Sequence, residues 1–319
     1  MPGRKGDLRL MMQREERTCP KFRTQWSLLL KLLAFFFVLM GCRGLTGISE
    51  AQGLSKGDIH LSATTIAQGE LGLVSVEVKE GETPRVWWQD HEVIMISNGP
   101  ERRWQGFLGV DLNSAPGSYP LLVKAFPEGR EEAVMIDVVK KDRGVRRLTL
   151  PKGMVDLDAK GLERVRTESK ILKEALDAPV SIPLWRGPFL RPIEGEIVGP
   201  FGRRSIINDQ PRSPHSGVDL KAREGTPVKA MNHGRVVLTV DHFFSGKSVV
   251  IDHGGGILSM YFHLDKIMVK NVHEVTKGQP IGLVGATGRA TGPHLHLGVR
   301  INGARVDPLS LIEISRGLE

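Results

Sequence analysis

From residue 58 onward the chain is written in short alternating runs, each closed by a turn signal. Between 58 and 141 these runs are "IHLSATTI", "LGLVSVEVK", "RVWWQ", "EVIMIS", "RWQGFLGV", "SYPLLVKAF" and "AVMIDVVK", divided by "EGETP", "SNGPE", "NSAPG" and "PEGREE". Alternation puts successive side chains on opposite faces of a strand, so each run has one buried and one wetted face. A helix bundle cannot be built from such a pattern, and the 37 glycines and 6% aromatic content agree with a turn-rich β protein. About seven short strands at this spacing predict an immunoglobulin-like sandwich over residues 58–141. Nothing in that segment has a catalytic pattern. His60 and His91 are isolated, and Trp87, Trp88 and Trp104 are expected in core packing rather than on a binding face.

The first 57 residues are different. "KFRTQWSLLLKLLAFFFVLMGCRG" places a basic leader before an apolar stretch, Leu32–Met40, then Gly41 and Cys42. The run is much shorter than the roughly 20 apolar residues a membrane span needs and fits a secretory signal over 1–41. "LMGC" resembles a bacterial lipobox, which implies lipidation of Cys42 and a membrane anchor. The leader is long, and Met11 or Met12 is an alternative start. Residues 42–57 are small and polar and read as a tether. The leader also explains most of the charge. Residues 1–41 hold eight of the 44 basic and three of the 36 acidic residues, so +5 of the net +8 belongs to them. What remains is nearly balanced, and no basic-aromatic patch points to nucleic acid. Cys19 and Cys42 are the only cysteines, which leaves the exported part without an internal disulfide or a thiolate metal site.

Residues 142–189 form a connector. Leu162, Val165, Leu172 and Leu176 repeat at helical spacing, predicting a helix over about 157–176 with one apolar stripe. "DAP" ends it, and "VSIPLWRGPFLRPIEGE" reads as a proline-punctuated extended stretch packed between domains, with a lid across a cleft as the alternative. From 190 to 319 strand patterns return: "EIVGPFG", "GRVVLTVDHF", "KSVVIDHGGG", "LSMYFHL", "QPIGLVGATG" and "PHLHLGVRINGARVDPLSLI". Asn302-Gly303 is a hairpin turn signal. The fold class is therefore all-β, with two β domains joined by a helical connector.

Eight of the ten histidines lie after residue 200. In "TGPHLHLGV" the alternation of a strand puts His294 and His296 on one face and Leu295 on the other. In "SPHSGVDL", His215 and Asp219 are four apart and share a face of an extended segment. Nitrogen and oxygen donors of this kind suit a catalytic metal that takes three protein ligands and leaves a fourth position open. For His253 in "IDHGGG" a hydrogen-bonded structural role is expected, and His233, His242 and His273 are expected to be solvated. Arg203 or Arg204, in "GPFGRR", could meet a substrate carboxylate or simply lie at the surface.

"HSGVDL", then "YFHL", then "GPHLHL", in that order, resemble the lysostaphin- or LytM-type zinc metallopeptidases. The resemblance covers roughly 190–313 and includes "GTPVKA", "VVIDHGGG", "KGQPIGLVGATG" and "VDPLSLI". It implies one Zn2+ held by His215, Asp219 and His296, with His263 and His294 as catalytic histidines acting as base, acid or oxyanion donor. It further implies a peptidoglycan endopeptidase whose substrates are stem-peptide cross-links, with D-alanine to diaminopimelate the expected bond in a periplasmic setting. The first domain lies outside the resemblance and is free to meet an envelope protein partner. A rival from another class is a non-catalytic relative that activates cell-wall amidases. Such relatives lack some of the metal residues, and this chain has the full set.

Overall fold

The computed structural model describes residues 58–97, 102–149, 157–177 and 182–318. The leader, Cys42 and the tether lie outside the described residues. Nine strands come first: β1 (Ile59–Leu61), β2 (Thr65–Ala67), β3 (Leu71–Glu77), β4 (Thr83–Trp88), β5 (His91–Val93), β6 (Ile96–Ser97), β7 (Arg103–Gly109), β8 (Gly117–Phe126) and β9 (Arg130–Val139). They make two sheets, ordered β1-β3-β7-β6 and β2-β9-β8-β4-β5. The inward residues of both sheets, among them Val74, Val76, Leu108, Val86, Leu121, Val123 and Ile136, are fully buried together. The run "IHLSATTI" supplies two strands rather than one. β1 pairs antiparallel with β3 in one sheet, and β2 then crosses to pair parallel with β9 in the other.

After β10 (Val145–Leu148), helix α1 runs Ala159–Asp177. Of its predicted stripe, Leu176 is buried against Leu238, Val250, Leu258 and Met260, and Leu172 packs beside it. Leu162 is 45% exposed, so the stripe docks only along its C-terminal half. The second half contains β11 (Glu196–Gly199), β12 (Arg204–Ile207), β13 (Gln210–Pro211), β14 (Gly217–Lys221), β15 (Pro227–Lys229), β16 (Gly234–His242), β17 (Gly246–Asp252), β18 (Ile257–Ile267), β19 (Glu274–Val275), β20 (Pro280–Val284), β21 (His294–Ile301) and β22 (Ala304–Val306), then α2 (Pro308–Ile314). The main sheet runs β11-β14-β21-β18-β17-β16-β19, all pairs antiparallel. Asn302 and Gly303 both have positive φ, as the two-residue turn between β21 and β22 requires. Among the described residues no helix is long and apolar enough to cross a membrane.

The extended stretch after α1 packs as a wedge. Trp185 lies between Phe107 of β7 and Phe189, with ring centroids 5.6 and 5.8 Å apart. Leu71 and Phe107 belong to the same buried cluster as Val218, Leu220, Leu295 and Leu297 of the main sheet. Polar links flank this shared core. Arg305 forks onto Asp111 at 2.9 and 2.6 Å, and Glu70 accepts from Arg143 at 2.7 Å and from Ser310.

His253 is buried completely and has the structural role its motif predicts. Hydrogen bonds link Met231 N–H to the Tyr261 hydroxyl, that hydroxyl to Ser259 Oγ, and Ser259 Oγ to His253 Nε2, while Nδ1–H donates to His233 O at 2.8 Å. That arrangement keeps the ring neutral, and burial pushes its pKa down to about 4.

Two outcomes are expected. The unfolded chain protonates His253 near pH 6.5 and the folded chain only near 4, so stability present above about pH 6.5 is lost as pH falls toward 4. His253 alone contributes a slope of at most about 1.4 kcal/mol per pH unit. Urea midpoints between pH 7.5 and 4.5 measure this, and a flat profile contradicts it. In a double-mutant cycle on Asp111→Ala and Arg305→Ala, the coupling should be about 1 kcal/mol. A value near zero would mean that water screens the fork.

Candidate metal centre

The site is assembled on one face of the main sheet, in a row that crosses four strands. Gly199 of β11 pairs with Asp219 of β14, Asp219 with His296 of β21, and His296 with Phe262 of β18. Residues in register on one face are neighbours, so Asp219 and His296 meet without any loop rearrangement. His215 lies just ahead of β14. Its carbonyl accepts from Gly202 N at 2.7 Å and its N–H donates to Arg203 O at 3.0 Å, which fixes the approach. His215, Gly217 and Asp219 share the parity of an extended chain, and the middle one has no side chain.

Three ligand atoms converge. His215 Nε2, Asp219 Oδ1 and His296 Nδ1 are 3.0, 2.9 and 3.0 Å apart. One face of a tetrahedron with bonds of 2.0–2.1 Å has edges of about 3.3 Å. The triangle is therefore nearly the right size for a small divalent cation, and the donor set of two imidazoles and one carboxylate suits such an ion. Among the described residues these three make the group able to hold a metal. The surroundings fit as well. His215 Nδ1 donates to Pro200 O at 3.1 Å, which fixes the ring and turns Nε2 toward the centre. A Cβ on Gly199 would sit 2.1 Å from Asp219 Oδ2, and one on Gly217 would sit 2.6 Å from His296 Nε2. Phe262 lies parallel to the His296 ring at 5.3 Å. Burial alone would raise the Asp219 carboxyl, but hydrogen bonds with His215 and His296 outweigh it and hold the group well below the usual carboxylate range. Burial lowers His296 against the opposing pull of Asp219.

His294 and His263 stand beside the triangle, their rings 4.8 Å apart. His294 Nδ1 donates to Gly292 O at 2.8 Å, and its Nε2 is 3.9 Å from Asp219 Oδ1. His263 Nδ1 donates to Thr287 O at 2.9 Å. In both rings the carbonyl assigns the proton to Nδ1 and leaves Nε2 with a lone pair. Burial pushes His263 down to about 4. Simple alternation along "YFHL" would turn His263 away from Phe262. A register break in β18 and a φ of +64° at His263 bring both onto the cleft side.

The structure thus brings together His215, Asp219, His296, His294 and His263, while Cys42 lies outside the described residues. Sequence reasoning missed several participants. His242 was expected to be solvated, yet it closes β16, is 8% exposed, and lines the same cleft. Helix α1 contributes Val165, Glu168 and Leu172 to the opposite wall, with Glu168 Oε2 accepting from Phe243 N at 2.7 Å. Thr287 stood in the quoted "GATG" but carried no signal of its own, because its contribution is a backbone carbonyl.

The model for "Peptidase family M23" matches residues 213–308. The peptidoglycan DD-endopeptidase ShyA of Vibrio cholerae is 45% identical over 97 residues, 30% of this chain and 23% of that one. The DD-carboxypeptidase/endopeptidase Mpg of Neisseria meningitidis is 39% identical over 115 residues, 36% of this chain and 26% of that one. The chain thus spans about a quarter of the length of these curated relatives. A crystal structure from Pseudomonas aeruginosa, described as a candidate peptidase M23, is 34% identical with a TM-score of 0.61, covering 78% of this chain and 95% of that one.

Gly217→Ala should weaken metal retention by about tenfold or more, since the new methyl would sit 2.4 Å from Leu297 O and 2.6 Å from His296 Nε2 and would push β21 with its ligand ring away. Gly317→Ala, whose Cβ meets nothing within 4 Å, is the control. Elemental analysis after gel filtration reads the difference, and equal metal content in the two variants would refute the steric argument.

Proposed function

Because the chain belongs to peptidase family M23, we propose that it is a zinc-dependent endopeptidase that hydrolyses peptide cross-links of bacterial peptidoglycan, with D-alanine to diaminopimelate as the bond cut. The observation that carries this reading is the three-atom triangle of His215, Asp219 and His296 on a cleft wall, with the His263 and His294 imidazoles beside it. The names of the two curated relatives support the substrate class. The complete ligand set counts against the rival reading, an amidase activator without chemistry of its own.

His215, Asp219 and His296 would hold the ion. Zinc, when bound, supplies Lewis acidity that polarises a carbonyl and acidifies water. The chain supplies the rest. Asp219 stays ionised and offsets the cation's charge. His263 is neutral at pH 7, and its Nε2 accepts a proton from the attacking water. Both His263 and His294, once protonated, become donors, either to the oxyanion of the tetrahedral intermediate or to the leaving amine. The Nδ1–H bonds to Thr287 and Gly292 hold both rings in place through these changes. Helix α1 and Phe244 contribute apolar lining beside the site, which favours exclusion of water there.

The remaining parts follow the same reading. Residues 1–41 export the chain and Cys42 anchors it by lipid on the periplasmic face of the envelope. The strand order of residues 58–141 supports an immunoglobulin-type sandwich. So do two details: Trp88 on β4 is buried and donates to Gly109 O at 2.9 Å, and Tyr119 near the start of β8 donates to Ala115 O at 2.8 Å. Such a domain offers a surface to an envelope protein partner.

Digestion of purified cross-linked muropeptides, followed by mass analysis, tests the activity. Dimers should yield monomers with one water gained per bond cut, and a chelator should stop the reaction. His215→Ala and Asp219→Ala should lose both zinc and activity. His263→Ala should keep zinc while losing about 10²–10⁴-fold in rate. Zinc loss in His263→Ala would overturn its assigned role. Intact dimers after incubation with zinc-loaded protein, with activation of an added amidase, would favour the rival.

A further inference from the structure

The cleft that contains the triangle has a volume of about 650 Å³, and its lining carries an unbalanced charge. Four arginines face it, Arg146, Arg203, Arg212 and Arg289, against two acids, Asp219 and Glu168. Both acids are engaged. Asp219 belongs to the metal cluster, and Glu168 accepts from Arg164 at 2.6 Å and from Phe243 N. Arg212 and Arg289 have an amide and a ring as partners instead. Arg212 donates from Nη2 to Gln210 Oε1 at 2.9 Å, and its Nε is buried with no acceptor. The Arg289 guanidinium lies over the Phe244 ring, 4.2 Å from its centroid. Burial, with the charge of Arg212 nearby, lowers Arg289 from its ordinary value, so the two like charges sense each other. Each is carried by a segment of the site itself. Arg212 is three residues ahead of His215, and Arg289 five residues ahead of His294. Two guanidinium groups lining one cleft, with no carboxylate partner among the described residues, form a site for an anion, and their planar forks match a carboxylate.

We propose that Arg212 and Arg289 are specificity-determining residues that recognise the free carboxylate beside the bond to be cut, and so select acidic stem peptides over amidated ones. This rests on the endopeptidase reading above. In a cross-link from D-alanine to diaminopimelate, the nitrogen that is released sits on a carbon bearing a carboxylate. That carboxylate travels with the scissile bond, within the same cleft. Amidation replaces an acceptor oxygen by an NH2 group, so donors would face donors and the guanidinium charges would stay uncompensated. A site built around a polar partner rejects the analogue that lacks it far more strongly than an apolar pocket rejects a changed shape.

The test uses the zinc-loaded full chain and two matched cross-linked peptides, differing only in whether the group next to the scissile nitrogen is a carboxylate or a carboxamide. The wild type should favour the acid form by about tenfold or more in kcat/KM. In Arg212→Gln and in Arg289→Gln that ratio should fall toward one, with the change in KM for the acid form and zinc content unaltered. Arg289→Lys should recover only part of the preference, because it keeps the charge without the fork. A wild type that cleaves both peptides equally overturns the proposal, as does a variant that lowers both rates by the same factor. A wild type that cleaves neither removes the endopeptidase reading and this one with it.

Discussion

Everything at the centre depends on strand register. Gly199, Asp219, His296 and Phe262 line up across β11, β14, β21 and β18, and a slip of one residue in any pair would turn a ligand into the core. What prevents the slip is the opposite face. Val218, Leu220, Leu295, Leu297 and Tyr261 alternate with the site residues and are essentially fully buried in one cluster. The apolar face thus specifies the position of the polar one. The chemistry adds strain of its own, with two glycines left bare so that a carboxylate and an imidazole can approach, and His263 held in a left-handed conformation. Burial of the other face offsets that strain.

Much of the site was legible because period-two patterns translate directly into faces. The pairing of His294 with His296, and the common side of His215 and Asp219, follow from alternation alone. The Asn302-Gly303 turn was legible for the same local reason. His263 is the instructive exception. Alternation from Tyr261 gives it the wrong side, and only the register break in β18 corrects that, a feature with no sequence mark beyond the motif itself. His242 was misjudged because its burial comes from α1, some 70 residues earlier, which no local window can see. The helix was legible as a helix, but Leu162 shows that an apolar stripe does not say how much of its length finds a partner.

The first half of the chain was legible as a set of strands and less so as a topology. A change of sheet within "IHLSATTI" leaves the hydrophobic pattern intact while altering what pairs with what. Its docking was not legible at all. The fork of Arg305 onto Asp111 joins residues 194 positions apart, and Phe107 meets Trp185 through a connector whose prolines announce only that it is extended.

The core shared across the two halves has a consequence for how such a chain can change over time. Leu71 and Phe107 sit in the same buried cluster as the strands that carry the ligands. The amino-terminal sheets are therefore not a detachable bead on a string. A recombination event that exchanged them for an unrelated module would bare an oily seam against Trp185 and Phe189, unless the newcomer brought matching side chains. Lineages of this architecture should diversify by altering loops at the far end of the sandwich while inheriting the seam as a unit.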